Sequence, residues 1–150
     1  MALRVRRPKD KDELLDRIVD GDGSAFGARY EAIMFCAALG FARSKRIAFD
    51  KSGEPIRWEQ FESLGARNLS SMLAVASSDD PEVLAPERLE ERIKVFEEYA
   101  NGGLEELERE LDKRPKMTPR EVVLQLVLDE QEADEEEDLP LGKIAEELSG

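Results

Sequence analysis

Apolar positions in this chain fall into helical stripes far more often than into strand-like alternation. Leu14, Leu15, Ile18 and Val19 recur at three- and four-residue spacing, which places them on one face of a short helix. Asp10 and Glu13 have the spacing of an N-cap and its reciprocal carboxylate, and Asp20-Gly21-Asp22-Gly23 closes the segment as a turn. The next element runs from Arg29 to Arg46, with Ser24 placed to cap it. Within it, Ile33, Met34, Phe35, Cys36, Ala37, Ala38, Leu39 and Phe41 leave no polar face. A helix that is apolar all round is buried on most sides, so this is the expected central helix. Gly40 breaks the apolar run, and Arg43, Lys45 and Arg46 follow at the negative end of the helix dipole, where cations gain ~0.3–1 kcal/mol each.

Past this helix the pattern changes. Arg46 to Asp50 alternates like a strand, and Lys51-Ser52-Gly53 is turn chemistry. Glu54 to Trp58 reads either as a returning strand, confined to an edge by Pro55, or as the start of a helix that aligns Trp58, Phe61 and Leu64. The favoured reading is one short strand or loop, a turn, then the helix. The hairpin version, following a helix, would look like a winged-helix DNA reader. Asn68 is placed to cap a helix carrying Leu69, Met72, Leu73 and Ala76, closed by residues 77–81. Leu89, Ile93, Phe96 and Ala100 form the clearest stripe, with Glu90, Glu91, Arg92, Lys94 and Glu97 expected outside. Asn101-Gly102-Gly103 is predicted to stop this helix, because glycine costs ~1 kcal/mol in a helix interior. Leu104, Leu107 and Leu111 would then begin a second one at a glycine corner. Thr118-Pro119-Arg120-Glu121 is a capping box with proline at the first helical position; it opens a buried helix through Leu128.

These elements predict a mainly α fold, a single-domain helical bundle around the buried helix with room for one short β-hairpin. Residues 1–9 form a basic arm, extended before Pro8, and residues 10–128 form the helical domain. Residues 129–150 form an acidic, flexible tail that ends in a short apolar segment.

Composition sharpens this picture. Of 150 residues, 38% are charged and 41% apolar, which fits a compact domain with a polar appendage. The single cysteine excludes an internal disulfide; Cys36, among apolar residues, is expected to be a small core residue in a reducing compartment. No apolar run approaches the ~20 residues that span a bilayer, and the start lacks the apolar region of a signal peptide, so a cytoplasmic location without membrane contact is expected. Charge is uneven. Residues 1–67 hold 13 Lys and Arg against 11 Asp and Glu, and residues 68–150 hold 9 against 24, net +2 and −15. Any nucleic-acid contact belongs to the first part. The candidates for phosphate or acidic-partner binding are Arg4, Arg6, Arg7, Lys9, Arg43, Lys45 and Arg46. Eight of the ten residues 129–138 are acidic, and Leu139, Leu141, Ile144 and Leu148 beyond them are candidates for docking into a partner's groove.

Catalytic chemistry is scarce. There is no histidine, which removes the usual general base near neutral pH and the commonest zinc ligand. No glycine-rich phosphate loop occurs. The turn at residues 20–23 is not a calcium loop, because Ala25, Phe26 and Ala28 stand at its later ligand positions. A two-metal nuclease site would need inward-facing carboxylates, whereas these acids are expected on exposed helix faces. Glu97 and Glu98, the acids flanking the unusual Asn101-Gly102-Gly103 element, read as a solvated face. Neither an enzymatic activity nor a metal or cofactor is expected.

Four stretches, RRPKDKDELLDRIVD, MFCAALGFARSKR, KSGEPIRWEQF and ERIKVFEEYANGGLEELE, resemble the family of DNA phosphorothioation-associated protein 4, an accessory of bacterial Dnd-type systems. They span about residues 6 to 110, and the tail after Met117 carries no part of the likeness. The resemblance implies a bacterial defence context: work beside machinery that replaces a phosphate oxygen of DNA with sulphur, or that restricts DNA lacking the mark. It supplies no catalytic residues. Two functions follow as expectations. The first is an accessory subunit that docks to other proteins of the system through its acidic second half. The alternative is a DNA-binding module using the seven cations, with steep salt dependence.

Overall fold

The computed structural model describes residues 3–132. Its architecture follows from two helices, α2 (Arg29–Ala42) and α5 (Leu89–Lys113), which pack against each other more extensively than any other pair. Glycine makes this possible. A Cβ on Gly40 would overlap the Tyr99 carbonyl oxygen, one on Gly102 the Lys45 carbonyl, and one on Gly103 the Cys36 carbonyl. α5 therefore runs unbroken through Asn101-Gly102-Gly103, contrary to the predicted glycine corner. The glycines weaken the helix locally, and backbone-to-backbone contact with α2 outweighs that cost.

The smaller elements surround this pair. α1 (Asp12–Val19) buries Leu14, Leu15, Ile18 and Val19, the face its spacing predicts. Asp10 does not cap it. That residue lies inside a preceding 3₁₀ turn (Lys9–Lys11), closed by the Lys11 N–H donating to the Pro8 carbonyl at 3.1 Å. Nor does Ser24 cap α2. The amides of Ala25 and Phe26 both donate to the Ile18 carbonyl, which folds the chain back onto the end of α1, and extended Ala28 precedes α2 instead.

α2 ends four residues earlier than predicted. Ser44 takes a left-handed conformation (φ 53°), its N–H donates to the Phe41 carbonyl at 3.0 Å, and the Lys45 N–H donates to Gly40 at 2.7 Å. These two bonds are the paired closure that satisfies a helix's last carbonyls. They send Lys45 to Asp50 across α5. That segment alternates in sequence like a strand, but it makes none. The Ile47 N–H donates to the Glu98 carbonyl at 3.0 Å, and the Asn101 Nδ2 donates to the Ile47 carbonyl at 3.2 Å.

The hairpin alternative does not form: a helix starts at Trp58, as the favoured reading has it, and the strand before it takes a longer-range partner. β1 (Arg4–Val5) pairs antiparallel with β2 (Ile56–Arg57), with Arg4 opposite Arg57 and Val5 opposite Ile56. Bonds from Lys9 N–H to the Lys51 carbonyl and from Gly53 N–H to the Arg7 carbonyl extend the ribbon. Val5 is fully buried, so the N-terminal arm is a structural strand. With residues 46–50 and 54–58 unpaired to each other, the winged-helix arrangement does not form.

α3 (Trp58–Glu62) supplies Trp58 and Phe61, whose rings cluster with Phe96 of α5 at 5.6–6.2 Å between centroids. α4 (Ala66–Ser77) begins after Gly65 at φ 80°, so Asn68 sits inside its first turn and is not the cap. Two 3₁₀ turns (Pro81–Leu84 and Pro86–Arg88) lead into α5. Arg92, expected on the solvated face, is buried because its Nη1 donates to the Val83 and Ala85 carbonyls that end these turns. Residues 119–132 form α6. Thr118 caps it, the Glu121 N–H donating to Thr118 Oγ1 at 3.2 Å, but the Glu121 carboxylate accepts from that hydroxyl and not from the backbone N–H as a full capping box would have it; Val122 and Leu126 join the core shared by the other helices.

Candidate functional site

The structure divides the seven candidate cations by what faces them. Arg43, Lys45 and Arg46 leave the end of α2 and meet carboxylates of α5. Arg43 Nη1 stands 3.1 Å from Glu106 and 3.0 Å from Glu110, Lys45 Nζ 3.9 Å from Glu106, and Arg46 Nη2 2.7 Å from Glu98. These glutamates are buried, each under a tenth exposed at the side chain. Arg46 also lies over the Tyr99 ring, 5.8 Å from its centroid.

The arm repeats the arrangement. The Arg6 backbone N–H donates to one oxygen of Glu97, and its guanidinium sits 3.1 Å from the other. The same guanidinium stacks 4.8 Å above Phe49, which ties the arm to the segment after α2. Arg7 approaches Asp12 at 3.8 Å. Arg4 and Lys9 are exposed and have no ion-pair partner among the described residues. Arg4 lines an open pocket of about 420 Å³ with Arg6, Glu90, Lys94 and Glu97.

The carboxylates respond in opposite directions. Burial of Glu97 raises its pKa above the usual range despite the opposing hydrogen bonds from Arg6. At Glu110 burial pushes the same way, but the hydrogen bond from Arg43, helped by Lys113 and Arg114, holds the pKa below the usual range. Burial works against the charge of Arg43, and its bonds to Glu110 and Glu106 nevertheless keep its pKa raised. At Glu97 burial outweighs the bonds from Arg6, and at Glu110 the neighbouring cations outweigh burial.

Sequence reasoning placed Glu97 and Glu98 on a solvated face and gave Glu106 and Glu110 no role. A signal existed: Glu98, Gly102, Glu106 and Glu110 recur at four-residue intervals, one row along a helix. The glycine in that row marks where a backbone passes, and cations near a passing backbone are the natural partners of the acids beside it. Cys36 is fully buried, which pushes its thiol pKa up and leaves it protonated at neutral pH. Among the described residues, no group of three Asp, Glu or Cys side chains is arranged to hold a metal ion, and no helix is long and apolar enough to cross a membrane. The docking candidates Leu139, Leu141, Ile144 and Leu148 lie outside the described residues.

Neither a curated protein nor a solved structure matches the chain. A family model does, and it extends well beyond the four stretches between residues 6 and 110, reaching into the segment after Met117 that seemed to carry no likeness. Matched over residues 4–144, the chain belongs to the family of DNA sulphur modification system-associated protein 4.

Proposed function

We propose that this protein is a non-enzymatic accessory subunit that docks to other proteins of the DNA sulphur modification system. One observation carries the reading. Arg6, Arg43, Lys45 and Arg46 are each engaged by a buried glutamate of α5, so the cations best placed to grip a phosphate backbone hold the fold together instead. Drawing Arg43 toward DNA would take the nearest cation from Glu106 and Glu110 and leave these buried acids to the flanking Arg109, Lys113 and Arg114, at a cost of about 1–2 kcal/mol. What remains for a partner is a chain of net charge −13. Such a surface suits the basic face of a DNA-handling protein, with complementary charge speeding encounter and selecting the partner.

The test is binding to one duplex, with and without phosphorothioate linkages, by fluorescence anisotropy over a salt series, beside capture of the system's proteins on the immobilised chain. The expected result is no saturable DNA binding at about 0.1 M salt and retention of at least one system protein. DNA binding that weakens steeply with salt and is lost on neutralising Arg4 and Lys9 would overturn the reading in favour of a DNA-contacting module.

A further inference from the structure

We propose that the groove between α2 and α6 is a docking site for an amphipathic helix of a partner protein that carries lysine or arginine beside its apolar stripe. This surface would serve the docking role proposed above, on which the inference rests. The described residues that line this groove of about 320 Å³ fall into pairs at four-residue spacing: Phe35 with Leu39 and Ala38 with Ala42 on α2, Leu126 with Glu130 and Val127 with Gln131 on α6. Rows at that spacing are the ridges between which a further helix seats its own side chains. The alanine row is the low one, so a helix backbone can approach α2 closely there. Ala38, Phe41 and Ala42 are exposed, and on α6 Leu124, Val127 and Leu128 are 59%, 39% and 45% exposed. α6 thus buries Val122 and Leu126 in the core and presents a second apolar stripe outward. Contiguous exposed apolar surface of this kind marks an interaction site.

Charge selects the occupant. The two α2 rows are wholly apolar, whereas both α6 rows turn polar at their C-terminal members, Glu130 and Gln131. Asp129 and Glu132 stand beside Glu130, all three exposed, and no lysine or arginine lines the groove among the described residues. The glutamates of α5 already hold cations of this chain. Asp129, Glu130 and Glu132 hold none among the described residues, so their charge is available to a partner. An acidic helix laid in the groove would meet like charge at this end. A helix with one apolar stripe and cations beside it buries the stripe between the rows and sets the cations against these acids, which also fixes its direction.

Fluorescence anisotropy on the full chain tests this, with a labelled synthetic amphipathic helix of leucine and lysine, about 18 residues long, and the same peptide with glutamate in place of lysine. At about 0.1 M salt the leucine–lysine peptide is expected to bind at a single site, about tenfold tighter than the glutamate peptide. Ala38→Gln fills the groove from an exposed position without changing charge, and Val127→Ser strips its opposite wall. Each is expected to weaken binding about tenfold. Asp129→Asn/Glu130→Gln/Glu132→Gln is expected to weaken it by a similar factor and to flatten its salt dependence. No saturable binding would overturn the proposal. So would binding that both groove variants leave unchanged, because general attraction to a chain of net charge −13 then accounts for it. A dimer in sedimentation that Ala38→Gln dissociates would overturn it by assigning the groove to a second copy. Hydrogen-exchange protection of residues 133–150 that Ala38→Gln releases would overturn it by assigning the groove to this chain. The docking role fails separately, when the immobilised chain retains no protein of the system. Equal retention of such a protein by wild type and Ala38→Gln would overturn the groove assignment alone.

Discussion

Arg43 shows how much a single side chain carries in this fold. Its guanidinium faces Glu106 and Glu110 while remaining 28% exposed, and Arg109, Lys113 and Arg114 flank the same two acids at 3.3–3.9 Å. Breaking a buried pair costs ~3–5 kcal/mol, but partial exposure and the flanking cations reduce that here. Arg43→Met, which keeps most of the aliphatic stem, is expected to cost about 1–2 kcal/mol in urea denaturation. In a Glu106→Gln/Glu110→Gln background the same change is expected to cost well under 1 kcal/mol, because a neutral amide needs no counter-charge. A coupling near zero in this double-mutant cycle would show that the pairing contributes nothing to stability. The cations themselves were legible in the sequence as a cluster after an apolar helix. Their partners were not, since Arg6 and Glu97 lie 91 positions apart and Arg43 and Glu110 lie 67 apart. Local charge pattern cannot distinguish a cation that awaits a ligand from one that already has a partner across the fold.

At the scale of elements, the stripes of α1 and of α5 were readable because burial repeats with the helical period. The course of α5 past Asn101 was not. Propensity ranks glycine as a helix breaker, yet Gly102 and Gly103 sit where the backbone of residues 36–45 presses on α5. The two effects predict opposite signs for one substitution. By propensity alone, Gly103→Ala in a continuous helix stabilises by ~1 kcal/mol. By packing, its new Cβ meets the Cys36 carbonyl and forces the crossing helices apart, an overpacking of backbone against backbone expected to cost about 3 kcal/mol or more. Gly27→Ala is the control. It lies before α2 with nothing closer than Glu31 at 3.9 Å, and is expected to change stability by less than about 0.5 kcal/mol. Urea midpoints of the two variants decide the matter, and a stabilised Gly103→Ala would refute the close crossing. The segment Arg46–Asp50, read as either strand or loop, stayed undecided for the same reason. Its alternation was legible, but its hydrogen bonds go to a helix carbonyl and to Asn101, partners that no period in the sequence announces.

For the whole molecule, two electrostatic contributions compete and salt separates them. The paired carboxylates of α5 are buried at contact distance, where screening is weak. The chain as a whole carries a net charge of −13, and mutual repulsion among its unpaired acids opposes the compact state. At low ionic strength this repulsion acts across the domain. The screening length falls from roughly 10 Å at 0.1 M toward 3 Å at 1 M salt, so added salt removes the long-range repulsion and leaves the contact pairs nearly intact. Raising sodium chloride from about 0.05 to about 0.5 M is therefore expected to raise the thermal midpoint by a few degrees, the shift that ~1 kcal/mol gives in a chain of this size. Glu106→Gln/Glu110→Gln, which lowers the net negative charge by two, is expected to narrow that salt gain while lowering stability at every ionic strength. Surface ion pairs such as Arg88 with Asp80 and Glu91 would give the reverse trend, a midpoint that falls as salt is added. A falling midpoint would mean that exposed pairing, and not the buried row on α5, dominates the electrostatics of the fold.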